Sequence, residues 1–248
     1  MTKYSRLLAI SLLGALLTAG CGTRGLVNSR LQQDPTAVPT RILVAPADFI
    51  INEIGFGKDQ ERVVAWENQA SRVFEETVQE LSDKEGRFKV VDFNSLSQED
   101  RDLILQHRAL FATMAGQLLQ IKDGQVDVWR KKQQNFQYTL GDGLKGIQAR
   151  ENIQAIVFVV GKDTVRSTAR IVADMVNSLL PGAEALSASN AFLVVGLANM
   201  STGEIMSFDT DVAKRKSLSN RDDLKDMANN ALTDYKALLR KMPKAGGN

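Results

Sequence analysis

Residues 153–161 (IQAIVFVVG) hold one polar side chain, Gln154, among otherwise apolar or small residues. Such a run is too short for a typical helix and too apolar for a solvated edge. It reads as a buried strand, so the sheet that contains it must be covered by other elements. The rest of the chain supplies them. Arg41–Phe49 (RILVAPADF) reads as a first buried strand, and Phe88–Phe93 (FKVVDF) as a second. Between them, Asp59 to Lys84 reads as a long helix. Val63, Trp66, Ala70, Val73, Phe74, Thr77 and Leu81 form its apolar stripe, with Asp59 as N-cap and Gly86 as the stop.

Ser97, with Asp100 three residues on, begins a further helix expected to reach Gln120, with a weak point at Gly116. Residues 121–142 are polar and poorly periodic and read as loop, with room for one short strand near Phe136. Leu144–Asn152 reads as a short helix. Thr164–Leu180 reads as a longer one, with Ile171, Met175 and Leu179 in one row and Val172, Val176 and Leu180 in the next. Ser189–Met200 and Glu204–Val212 are expected to pair as a hairpin about Ser201-Thr202-Gly203. Asp222–Met242 closes the chain as a helix with Leu224, Met227, Ala231, Tyr235, Leu238 and Met242 on one face. The order predicts an α/β fold: a single mixed β-sheet covered by helices in two or three layers, with a C-terminal hairpin and a terminal helix.

The first 21 residues follow a different logic. Lys3 and Arg6 precede an apolar run, Leu7 to Leu17, too short to span a bilayer. Thr18-Ala19-Gly20 and then Cys21 follow. This resembles a bacterial lipoprotein signal peptide ending in a lipobox, although Leu more often stands where Thr18 does. The resemblance implies that residues 1–20 are removed and that Cys21 is acylated as the mature N-terminus. Its acyl chains would then hold the protein on a lipid bilayer. Gly22, where Asp would resemble an inner-membrane retention signal, points to the outer membrane. Residues 21–40 then form the acylated N-terminus and a flexible tether rich in Gly, Pro, Asn and Gln, and residues 41–248 form one periplasmic domain.

Composition narrows the chemistry. Cys21 is the sole cysteine and His107 the sole histidine, which excludes an internal disulfide and makes a His- or Cys-built metal site unexpected. The formal charge of +2 is that of Lys3 and Arg6, so the expected mature chain is neutral and offers no electrostatic case for nucleic acid. Gly141, Gly143 and Gly146 (GDGLKG) match a dinucleotide-binding spacing, with Asp163 placed as a ribose acid. However, the preceding QQNFQYTL is too polar for the buried strand that motif needs, so no cofactor is expected. His107 sits in a charged helix without a nucleophile elbow. The pairs Glu75-Glu76 and Asp222-Asp223 are sequence neighbours, whereas acid–base hydrolysis draws its two carboxylates from separate elements.

One segment is not explained by core or caps. Trp129, Arg130, Lys131, Lys132, Phe136 and Tyr138 mix cations with aromatics, the residue types that anchor protein partners. They either form a partner-binding patch or fold back over a sheet edge.

Ala198–Ile205 (ANMSTGEI), between two apolar strands, resembles the hairpin of the superfamily of curli secretion channels and penicillin-binding-protein activators. FKVVDF after a long helix and ENIQAIVFVVG at Glu151–Gly161 resemble the same family in the same order. The resemblance implies the α/β fold over about residues 41–242. It also implies one of two roles: a subunit of an outer-membrane pore, or a tethered stimulator of a wall synthase. The pore needs spanning strands that alternate in polarity. Residues 164–188 have helical periodicity and residues 209–223 (DTDVAKRKSLSNRDD) are charged, so neither fits a spanning strand. The reading is therefore a non-catalytic adaptor or regulator of an envelope machine, serving wall synthesis or surface-protein secretion, with an envelope protein as partner and no oligomeric state specified. The alternatives are a wall-acting hydrolase with separated carboxylates, and an accessory subunit of a curli-like secretion channel.

Overall fold

The computed structural model describes residues 26–28, 31, 34, 37–55, 59–122, 138–167, 190–214 and 216–241. The strand expected at 153–161 is the centre of the molecule. It runs longer, Ala155–Arg166 (β6), and its first five residues are buried on both faces. Ala155, Val157 and Val159 enter one apolar layer; Ile156 and Phe158 enter the other. Parallel to β6 lies the first strand of the expectation, in two pieces, Arg41–Val44 (β2) and Asp48–Ile54 (β3). The break falls at Ala45-Pro46-Ala47, where proline removes a ladder donor and the register with β6 slips by one residue.

Gln60–Arg62 (β4) turns back on β3 as a short antiparallel strand, so Asp59 is not a helix cap. The helix begins at Val64 and runs to Glu85 (α1); Gly86 stops it in the left-handed conformation at φ 61°, as expected. Its first turn is set by Glu67 rather than by a cap. The buried Glu67 carboxylate accepts the Ile51 N–H at 3.1 Å and both Nε and Nη2 of Arg62, at 2.6 and 2.9 Å. Burial alone would push this carboxyl up; the Arg62 and Ile51 hydrogen bonds outweigh it and hold the group below its ordinary range.

Lys89–Val91 (β5) pairs in parallel with β2 at the end of the sheet. Gln98–Lys122 (α2) starts where Ser97 Oγ accepts the Asp100 N–H at 3.1 Å, and it passes Gly116 unbroken. Lys145–Glu151 (α3) is tied to it by an ion pair between Arg150 and the buried Asp100. Asn190–Asn199 (β7) and Ile205–Lys214 (β8) form the expected hairpin. Thr164–Arg166 continues β6 against Asn52–Ile54 and is not the start of a helix; residues 168–180 of that expected helix lie outside the described residues.

The last helix is two, Arg221–Ala231 (α4) and Thr233–Lys241 (α5), broken at Leu232. Asn220 caps the first by accepting the N–H groups of Asp222 and Asp223 at 2.9 and 3.1 Å. The break leaves the apolar stripe intact, since Leu224, Met227, Ala231, Tyr235 and Leu238 all enter one layer.

The tether begins to fold earlier than expected. Leu26–Val27 (β1) pairs with β8, and Leu31 and Val38 are buried among core residues, because these apolar side chains find the free edge and one face of the sheet. The path through the sheet is β1-β8-β7-β6-β2-β5, with β3 and β4 extending it beside β6. Helices α1, α4 and α5 cover one face and α2 and α3 the other, so the fold is α/β with a mixed sheet in the middle layer.

Candidate functional site

Of the residues singled out for a partner, Trp129, Arg130, Lys131, Lys132 and Phe136 lie outside the described residues, as does Cys21. Tyr138 is described, and it belongs to the fold. Its ring packs against the α2–α3 layer, and burial pushes its hydroxyl above the ordinary range. Its carbonyl accepts the Ile205 N–H at 2.8 Å. Leu140 N–H and Thr139 Oγ1 donate to the carbonyls of Gly203 and Thr202 at 2.9 and 3.0 Å. Asn28 donates to Glu204 at 2.6 Å. The Ser-Thr-Gly-Glu turn is thus a junction of three chain segments. Gly203, at φ 66°, has to be glycine there, because a Cβ would strike the carbonyl of Gly141.

The glycine-rich segment and Asp163 do not meet. Leu140, Leu144 and Ile147 pack in the α2–α3 layer, and Gly143 lies against the His107 ring. Asp163 is fully buried on the opposite face, where it accepts Ser217 Oγ at 2.6 Å and the Leu218 N–H at 2.8 Å and so anchors the loop leading to α4. His107 Nδ1 lies 2.9 Å from the Leu103 carbonyl of its own helix.

The structure does bring carboxylates of separate elements together. A hollow of about 460 Å³ opens at the carboxyl ends of the parallel strands β2 and β5, the place where open α/β sheets bind ligands. Val44 and Pro46 form one wall, Val90 to Asn94 another, and Glu75, Glu76 and Gln79 of α1 the third. Glu76 is paired with Arg221 at 2.6 Å. Glu75 has no cationic partner among the described residues, and partial loss of water together with the charge of Asp92 pushes its carboxyl above the ordinary range. Asp92 is fixed in turn as the cap of a short 3-10 turn, accepting the Asn94 N–H at 2.9 Å. The sequence showed Glu75 and Glu76 only as neighbours. Asp92, the last polar residue of FKVVDF, was the signal available: it stands at the carboxyl end of a parallel strand.

No family model matches the chain, and no curated protein matches it significantly. Among solved structures, the chain is similar to the LpoB C-terminal domain from Salmonella enterica, with 16% identity and a TM-score of 0.29 over 76% of this chain and 93% of that one. A likeness at that score settles neither fold nor role. No helix of the described residues is long and apolar enough to cross a membrane.

Proposed function

We propose that this chain is an acylated outer-membrane lipoprotein whose periplasmic α/β domain acts as a non-catalytic adaptor or regulator of an envelope machine, in wall synthesis or surface-protein secretion. The observation that carries the reading is the signal of residues 1–21, which ends on the sole cysteine. Anchoring at Cys21 places the domain within reach of envelope proteins and gives it work that depends on contact. The segment that holds Trp129, Arg130, Lys131, Lys132 and Phe136 remains part of this proposal as a partner site. In vivo crosslinking of the full chain is the test. One envelope protein recovered with wild type, and lost on replacing Trp129, Arg130 and Phe136 by Ala at unchanged melting temperature, supports both the role and the patch. Capture of no envelope protein contradicts the role.

A second reading, wall hydrolysis, is favoured by one observation: Glu75 and Asp92 share a groove and Glu75 is pushed towards the protonated state that a general acid needs. Release of muropeptides from purified wall, abolished by Glu75→Gln or Asp92→Asn, would establish it in place of the adaptor.

A further inference from the structure

The groove beside Glu75 does not stop at Asp92. A second hollow, of about 740 Å³, continues along the other half of the same edge strand, and Gln79 and Val90 line both. Together the two hollows follow β5 from end to end. On the helix side they are bounded by Glu75, Gln79 and Asp83, a row at i, i+4 and i+8 that overhangs the sheet edge. β5 is the terminal strand on its side of the sheet. Lys89 N–H donates inward to the Thr40 carbonyl at 2.8 Å, and Lys89, Val90 and Val91 stand opposite Arg41, Ile42 and Leu43. In a parallel ladder that register turns the N–H and C=O of Val90 outward, into the groove. An outward donor and acceptor at an edge strand, inside a groove, is the arrangement to which an extended peptide adds as a further strand.

The charges say which peptide. At the carboxyl end of β5 stand Glu75 and Asp92, with Glu75 destabilised as an anion first by partial loss of water and then by the charge of Asp92. At the amino end the three cations Arg41, Lys89 and Arg87 outnumber the one carboxylate, Asp83, and Arg41 Nε is buried with no hydrogen-bond partner among the described residues. A cation brought to the first end relieves the Glu75–Asp92 repulsion; a cation brought to the second meets like charge.

We propose that this edge binds an extended segment of a partner protein by strand addition to β5, with a Lys or Arg of that segment seated between Glu75 and Asp92. The inference rests on the adaptor reading for the kind of partner, and on the groove itself for the mode of binding.

The probe is a fluorescein-labelled peptide, acetyl-Lys-Val-Lys-Val-Thr-Val-amide, titrated into the full chain and followed by anisotropy, with Glu replacing both Lys in the control. The basic peptide is expected to bind at least tenfold more tightly than the acidic one, and to weaken with salt. Val90→Pro removes the outward N–H at a position where proline spares the β2 ladder, and is expected to lower affinity tenfold or more. Glu75→Gln with Asp92→Asn is expected to keep weak binding but lose the preference for Lys. Should Val90→Pro fail to fold, the amide shifts of Val90 and Lys89 on titrating wild type replace it, and shifts elsewhere only would overturn the proposal. Equal binding of both peptides, or equal binding by wild type and Val90→Pro, also overturns it. So does binding seen only after Arg130, Lys131 and Lys132 are changed to Ala, which would make this chain's own basic segment the occupant. A chain that still crosslinks to an envelope protein while failing these tests remains an adaptor that docks elsewhere.

Discussion

Two glutamates on α1 show how the same residue type is set to opposite uses by its surroundings. Glu67 is buried but receives Arg62 and the Ile51 N–H, and its carboxyl is held low. Its contribution to stability is therefore present above the ordinary glutamate range and lost as pH falls through its depressed value. Glu75 lies in a groove with Asp92, and its carboxyl is held high. In that case the fold favours the protonated form, so stability is full below the ordinary range and declines as pH rises through the raised value. Thermal melts of two variants across pH 3–8 test both signs. Glu67→Gln is expected to lose about 1–3 kcal/mol at pH 7, because a buried N–H is left with a poorer acceptor, and to approach wild type in acid. Glu75→Gln is expected to gain about 1 °C at pH 7, a small effect because water screens an exposed carboxylate, and to lose that gain below pH 4. Neither environment was legible in the sequence. Glu67 falls in the stretch that reads as the second turn of a helix beginning at Asp59, and nothing local reveals that residues 60–62 pair with β3 and carry Arg62 to it.

Elements were legible where one physical signal sufficed, and illegible where tertiary pairing overrode it. The α1 stripe, the Gly86 stop, the Ser97 start and the hairpin turn were all written in local periodicity and capping. The break at Pro46 was visible as a proline inside an apolar run, but the run was apolar enough to read as one strand. Thr164–Arg166 reads as helix and is strand, because β3 offers it a seven-residue parallel ladder that outweighs local preference. A less visible device is the glycine of β7. Phe158, Gly196 and Phe208 stand side by side on three adjacent strands, and Phe111 of α2 drops onto Gly196 between the two rings. Phe111 and Phe158 stack with centroids 5.4 Å apart. The absent side chain of Gly196 is thus the socket that seats α2 on the sheet. Gly196→Ala is expected to cost about 1–3 kcal/mol by overpacking, read by urea denaturation, while a methyl added at the exposed Gly116 position, with open space around it, is expected to stabilise slightly. Equal stability of Gly196→Ala and wild type would remove the socket.

At the scale of the whole molecule, the centre and the margins of the sheet differ. Its centre, where β6 lies between β7 and β2, is covered by helices on both faces. Its margins face the surroundings. At one, β8 pairs with Leu26 and Val27, close in sequence to Cys21. At the other, β5 keeps an open groove between α1 and the sheet edge. The proposed role depends above all on an acyl anchor at Cys21, and its direct measurement is labelling with radioactive palmitate in a bacterial host, for wild type and Cys21→Ala, followed by membrane fractionation. Label is expected in wild type only, with the wild-type protein in the outer-membrane fraction and the variant released. Label persisting in Cys21→Ala, or wild type recovered unlabelled as soluble protein, would contradict it.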